Sequence, residues 1–301
     1  MRVGLDIGGT KIDAVAIDDD GAPIESLRLA SGFGDLAVLT NAAEALARLR
    51  DATGHDFESI GVGIPGLVDP STGRVRHAVN LGFDDVDFGH DLSALTGVPV
   101  SVENDVNAAA LGAYHLMGLD GPVAYLNLGT GLAAGIVLDG RLWRGARGVS
   151  GEIGHIPIDP SGFVCPCGQR GCLETIASGS AIARQWPTGA EHPAQALFAA
   201  ADAGDPEARR IRTALATGVA AAVRILVLTV DVESVVIGGG LSHVGPPLLE
   251  CVRDVLDDWA AQSEFLASLD LPERIRLLPE GLSVAAVGAA MLGRPESVLR
   301  A

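Results

Sequence analysis

Three cysteines and one histidine fall close together, His155, Cys165, Cys167 and Cys172, in the spacing H-x9-C-x-C-x4-C. Gly168 and Gly171 permit the tight turn that would bring three thiolates around one ion. A Cys3His set suits tetrahedral zinc and leaves no coordination position open, so such a site is structural. The plainer alternative is three buried cysteines beside an unrelated histidine. Clustering favours metal, because four cysteines are too few for a disulfide scaffold and Cys251 stands apart in a helical pattern as a core residue.

Glycine turns form the second group. Asp6-Ile7-Gly8-Gly9-Thr10-Lys11 is not a P-loop, since Thr and Lys are in the wrong order and a strand follows. It reads either as a plain hairpin turn or as a phosphate cradle. In the cradle, Gly8 and Gly9 admit phosphate oxygens to backbone N–H groups, with Thr10 and Lys11 adding donors. Asp6 would then hold a magnesium ion through water. Gly129-Thr130-Gly131 again lies between strands, so two hairpins of one design could clamp a polyphosphate. Gly238-Gly239-Gly240 follows a buried strand and would let a base or ribose approach the backbone. Two apparent dinucleotide fingerprints are rejected. Pro65 and Pro70 block the helix that should follow Gly61–Gly66, and Gly129–Ala134 runs into a strand.

Glu103-Asn104-Asp105 ends a strand just before a helix, where Asn104 or Asp105 reads most simply as an N-cap. Glu152 and Glu174, taken alone, read as surface carboxylates. His55, His77, His90, His115, His192 and His243 lack supporting spacing and read as structural or surface residues.

These residues need a frame. Strands are expected over Arg2 to Ile7, Ile12 to Ile17, Ile24 to Leu29, Ser59 to Ile64 and Val98 to Val102. Helices are expected over Leu36 to Leu49 and Val106 to Met117, with residues 66–97 irregular. The pattern restarts with strands Val123 to Leu128, Ala133 to Leu138 and Arg141 to Trp143. Helices follow near Ala194 to Ala203, Glu207 to Asp231 and Leu248 to Ser263, with strand Val235-Val236-Ile237 between them and a last helix at Ser283 to Leu292. This is a mixed α/β chain rather than a plain Rossmann alternation, and the repeated hairpin suggests two related domains around a cleft. The expected division is 1–117 with 284–301, against 118–283.

The chain has 301 residues, 48% of them hydrophobic, ample for two cores. Its formal charge of −17 repels phosphate backbones, which argues against nucleic-acid partners and anionic membranes. Asp6, Lys11 and Asp13 interrupt any leading apolar run, and Arg224, Asp231 and Glu233 interrupt Ala214 to Leu241, so no signal or membrane segment is expected. A soluble, cytoplasmic protein is the expectation.

DIGGTK at 6–11, ENDVNAAALGAY at 103–114, LGTG at 128–131, GEIGH at 151–155 and CPCGQRGCLE at 165–174 together resemble the ROK-family sugar kinases, bacterial glucokinases and their relatives. The resemblance runs over nearly the whole chain. It implies the actin-like ATPase (ribonuclease H-like) fold, magnesium-ATP as donor and a hexose as acceptor. It makes Asp105 the base that accepts the sugar hydroxyl proton, and Asn104 a ligand of neighbouring hydroxyls. Glu152, Glu174, Asn80 and Gly66 line the sugar pocket, and His155 presents its second nitrogen to the sugar while zinc holds the first. Glucose 6-phosphate is the implied product. N-acetylmannosamine, N-acetylglucosamine, mannose and fructose are the alternative acceptors, and polyphosphate the alternative donor. A homodimer or homotetramer is implied by the resemblance alone. Two departures stand out: Leu132-Ala133-Ala134 replaces a more glycine-rich run, and Phe83 stands where many glucokinases carry Trp. The family also includes sugar-responsive repressors with a leading helix-turn-helix domain, for which a first strand at Arg2 leaves no room.

Overall fold

The computed structural model describes residues 1–293. Two compact units divide the chain: Met1–Asp120 with Gly135–Val149 and the stretch from Gly281, and Gly121–Ala134 with Ser150–Glu280. Residues 135–149, assigned from sequence to the second domain, group with the first unit. Residues 294–301 of the expected first domain lie outside the described residues.

In the first unit, β1 (Arg2–Ile7), β2 (Lys11–Ile17) and β3 (Pro23–Ala30) form an antiparallel meander. After α1 (Asp35–Thr53), β4 (Ser59–Ile64) pairs in parallel with β1. Residues 66–97 are not irregular. They form a separate sheet of β5 (Leu67–Asp69), β6 (Arg74–Ala78) and β7 (Phe83–Val86), then α2 (Phe88–Thr96). The sequence hid them because β6 buries only Val75 and Ala78 while β7 is polar at its centre. Next, β8 (Val100–Asn104) joins β4 in parallel and leads directly into α3 (Asp105–Leu116). The sheet order is β3-β2-β1-β4-β8.

The second sheet contains β9 (Val123–Leu128), β10 (Leu132–Leu138) and β11 (Arg141–Leu142). The unit boundary falls inside β10, between Ala134 and Gly135. The second unit continues through α4 (Gly179–Gln185), α5 (Pro193–Asp202), α6 (Pro206–Val230), β12 (Ser234–Gly238), α7 (Pro246–Ala261), α8 (Glu264–Ala267) and β13 (Ile275–Leu277); α9 (Val284–Met291) returns to the first unit. The second sheet runs β11-β10-β9-β12-β13, the same third–second–first–fourth–fifth order as the first, so the repeated hairpin read from sequence is a repeat of topology.

Helix α1 buries Val38, Leu39, Ala42, Ala45, Leu46 and Leu49, an i, i+3, i+4, i+7 stripe laid on the core of β1 and β4. On the opposite side α9 lies directly on strand backbone. A Cβ on Gly4 would come 1.8 Å from the Ala286 carbonyl oxygen, and one on Gly61 would come 1.7 Å from that of Ala289. Helix α3 is held the same way, since a Cβ on Gly112 would lie 1.8 Å from the Val284 oxygen. Small residues thus fix the depth of α3, and with it the position of Asp105. Helix α6 is long and apolar enough to cross a membrane by composition, but its middle, residues 218–223, is buried on every face and it carries four arginines, so it reads as a core helix.

Candidate active site

In the first unit the site is built on one row across the sheet. Asp6 on β1 pairs in register with Asp13 on β2, Asp13 with Arg28 on β3, and Asp6 with Gly63 on β4. Cross-strand partners point to the same face, so three charged side chains lie side by side. At Gly63 the missing side chain makes room for α3: a Cβ there would lie 3.6 Å from the Cα of Asp105. Asp105 therefore comes down beside the row. Asp6 bears the consequence, its carboxyl pushed up to about 7 by burial first, then by the charges of Asp105 and Asp13, with Lys11 and Arg28 pulling it back. Arg28 Nε bonds one oxygen of Asp13, and Lys11 Nζ lies 3.4 Å from the other.

The Gly8–Lys11 turn closes with the Gly8 N–H donating to the Lys11 carbonyl, 2.9 Å. Neither Gly8 nor Gly9 adopts the left-handed backbone. Gly9 is small for another reason: a Cβ would press to 3.2–3.3 Å of Asn80, so the turn packs directly on that residue. Thr10 and Lys11 are exposed, as is Asn80, in the 3-10 turn Val79–Leu81.

Asn104 is the N-cap of α3. Its Oδ1 accepts from the N–H groups of Val106 (2.9 Å) and Asn107 (3.3 Å), which leaves only Nδ2 to meet a ligand. The sequence alternative of a capping Asn is therefore realised, and it narrows the expected sugar contact to a single donor group. Asn104 Nδ2 also approaches the Gly66 carbonyl at 3.5 Å. Gly66 itself sits at φ +114, with the Arg76 oxygen 2.6 Å from any Cβ, so no other residue fits. Asp105 opens the helix half-buried, with the Val106 N–H 3.0 Å from its Oδ1.

In the second unit, His155, Cys165, Cys167 and Cys172 bring one ligand atom each within 4.8 Å of one another. Cys167 and Cys172 sulfurs are 3.8 Å apart, and Cys165 sulfur lies 3.7 Å from His155 Nδ1. Tetrahedral zinc with its usual Zn–S bond length separates two thiolates by about 3.8 Å. The four residues therefore fit the ion. Gln169 holds the exposed Cys167 thiol down to about 6 through backbone and side-chain hydrogen bonds, while burial pushes the Cys165 and Cys172 thiols up. A bound cation would have to drive off those two protons.

The GEIGH segment lies on β10. The Ala134 N–H donates to the Gly151 carbonyl at 2.8 Å, and Gly154 leaves 2.0 Å between a Cβ and the Leu132 oxygen. Glu152 is exposed, and its carboxylate makes no hydrogen bond or ion pair among the described residues. Glu174 lies between the metal loop and the glycine hairpin. Its Oε1 lies 3.0 Å from Cys165 sulfur and 3.6 Å from His155 Nδ1, and its Oε2 faces Gly131. It links the metal loop to the glycine hairpin.

Beside Thr130 opens a cavity of about 790 Å³ within the second unit. Gly179 and Ser180 of α4 dock the hairpin through N–H bonds to the carbonyls of Gly129 (2.8 Å) and Thr130 (3.2 Å). Ile182, Leu241 and Val244 supply apolar wall, Glu191 and Glu280 the carboxylates, and no lining residue is Lys or Arg. Gly240 reaches this wall. Gly239 does not; at φ +78 it packs on Asn127 and Leu128, and Gly131 packs on Glu174. His192 and His243, read from sequence as structural or surface residues, also line the cavity. Sequence reasoning missed Gly179, Ser180, Glu191 and Glu280; only Ser178, as the cap of α4, gave a local signal.

The model of the ROK family matches residues 2–295. A glucokinase of Halalkalibacterium halodurans is 35% identical over 284 residues, 86% of each chain. Among solved structures, a ROK hexokinase from Thermus thermophilus has a TM-score of 0.82 at 35% identity, covering 96% of both chains. A ROK glucokinase from Streptomyces griseus, in complex with glucose and AMPPNP, has a TM-score of 0.78 at 31% identity, covering 97% of this chain and 98% of that one.

Proposed function

The chain belongs to the ROK family, with the actin-like ATPase fold, and from that footing we propose that it transfers the γ-phosphoryl group of ATP to the 6-hydroxyl of glucose. The observation that carries the reading is the Asp6–Asp13–Arg28 row with Asp105 beside it and the Gly8–Lys11 turn at its end: two neighbouring carboxylates, one of them raised by burial, and a glycine turn carrying Thr10 and Lys11 in one unit.

Phosphoryl transfer through a loose transition state asks the protein to position the reactants and neutralise charge. Asp105 accepts the proton of the attacking hydroxyl, its carboxylate oriented by the Val106 N–H. Lys11, Thr10 and the N–H groups of the turn other than that of Gly8 receive phosphate oxygens. Asp6, crowded by two other carboxylates, is a natural cation ligand, and magnesium there supplies countercharge for the phosphates. Glu152, with its carboxylate uncommitted, accepts from sugar hydroxyls, as does Glu174. Asn104 Nδ2 and Asn80 donate, and His155 does so through the nitrogen turned away from the cysteines. His155, Cys165, Cys167 and Cys172 would hold zinc with four protein ligands, a set suited to a structural ion.

ATP is favoured over polyphosphate by the cavity beside Thr130. Apolar walls and two carboxylates suit a base and ribose hydroxyls, whereas a polyanion finds no lysine or arginine there. The fold being that of hexose kinases, we assign the reaction to the cytoplasm and expect an oligomer. Initial rates of ADP release over a panel of hexoses and N-acetylhexosamines, with polyphosphate as a second donor, test the reading. Glucose with ATP should have the highest kcat/KM; a preference above tenfold for N-acetylmannosamine would replace the acceptor, and activity with polyphosphate alone would replace the donor.

A further inference from the structure

Glu103 stands immediately before the base and its cap, yet no step above uses it. Its side chain is 2% exposed. One oxygen accepts from the Asn104 N–H and from Asn107 Nδ2, both at 3.0 Å, and the other accepts from Arg144 Nε at 2.5 Å. The Asn107 N–H in turn donates to Asn104 Oδ1. Residues 103, 104 and 107 thus form a closed ring of hydrogen bonds around the backbone of Asp105. Arg144 anchors that ring from the segment 135–149, forty-one residues away in sequence.

An ion pair with one partner fully buried is a poor way to gain stability, because desolvation of that partner offsets most of the attraction. What it supplies is direction: Glu103 has four acceptor sites, three of them used, two fixing the Asn104 N–H and the Asn107 side chain of the turn and the third held by Arg144. We propose that Glu103 and Arg144 are positioning residues that hold the first turn of α3 so that Asp105 meets the sugar hydroxyl. The proposal rests on Asp105 being the base. Arg144, 37% exposed, does not itself need to touch substrate.

The test is a double-mutant cycle in the full-length enzyme. Arg144→Gln should lower kcat by about 10- to 100-fold, the cost of a base displaced by about an ångström, and leave KM for both substrates within about threefold. Arg144→Lys, which keeps the charge but not the Nε geometry, should recover part of the loss. In an Asp105→Asn background, Arg144→Gln should cost nothing further, because it acts through Asp105. Wild-type kcat for Arg144→Gln, or a full additional loss in the Asp105→Asn background, would overturn the proposal. Should Arg144→Gln fail to fold, isosteric Glu103→Gln carries the same expectation, and a normal kcat there overturns it equally. High turnover by Asp105→Asn alone would remove the premise and the proposal together, whereas an inactive Asp105→Asn beside a normal Arg144→Gln refutes only the positioning role.

Discussion

The β1–β2 turn and the β9–β10 turn occupy the same place in sheets of the same strand order, yet one is charged and the other neutral. Position for position, Asp6 is answered by Asn127, Lys11 by Leu132 and Asp13 by Ala134. Even the neighbouring strand repeats its device: Gly63 is in register with Asp6, and Gly238 with Asn127. At Gly63 the vacated space admits the first turns of α3, Ala108 closest, with Asp105 beside it. At Gly238 it is filled by Tyr125, whose Oη would lie 2.2 Å from a Cβ. The shared frame decides where a glycine turn points, and the side chains flanking it decide what it handles. On the proposed reading, in the first unit that is countercharge and a proton. In the second it is an uncharged docking edge beside an apolar cavity.

Removing charge from the first hairpin's neighbourhood should have the largest effects. Asp105→Asn is expected to lower kcat by about 10²–10⁴-fold while glucose still binds, since shape and most donors survive. Calorimetric titration with glucose alongside steady-state rates separates the two, and a variant keeping more than about a tenth of kcat would break the assignment.

Asp6→Asn should cost about 100-fold in turnover and yet stabilise the metal-free protein. With its folded pKa raised to about 7, Asp6 keeps a proton that the unfolded chain loses from about pH 4 upward. The native state then binds more protons, so stability falls as pH rises through that window, and the cost is fully present above it. The variant's Tm should exceed wild type at pH 8, by at most about 4 kcal/mol in stability, and the gap should close below pH 4. Equal Tm values at pH 8 would show that Asp6 is not strained by its neighbours.

In the second unit the effects should be smaller and fall on binding. Cys167→Ser should lose zinc, lower Tm and weaken glucose affinity about tenfold through Glu152, His155 and Glu174, with KM for ATP within about threefold. Zinc content by mass spectrometry together with glucose KM checks this; zinc loss with a wild-type sugar KM would detach the loop from the sugar. The smallest effect sharpens the comparison itself. Asn127→Asp imports the first hairpin's charge into the second and should raise ATP KM several-fold, by like-charge repulsion of phosphate, with kcat little changed. An unaltered ATP KM would mean that the neutrality of this turn is incidental.

Much of this was legible from sequence because it is local. The hairpins show alternation around glycine, α1 shows a helical stripe, and the Cys3His spacing survives intact as a cluster of ligand atoms. What stayed hidden depends on distance. Val75 and Ala78 are too few buried positions to give β6 a period. The Asp6–Asp13–Arg28 row is a matter of register, which no single strand encodes. Glu103 reads as one acid among 38 until Arg144 is seen against it. The cavity histidines, His192 and His243, lie on stretches without periodicity, and nothing in their spacing connects them.

The central claim is that the charged hairpin and Asp105 drive phosphoryl transfer from ATP to a hexose hydroxyl. A phosphorus NMR time course of the purified enzyme with magnesium, ATP and glucose tests it most directly. The expected result is loss of the γ-phosphate signal matched one-for-one by glucose 6-phosphate, with neither change when Asp105 is replaced by Asn. Accumulation of inorganic phosphate without a sugar phosphate, or an unchanged time course with Asp105→Asn, would contradict it.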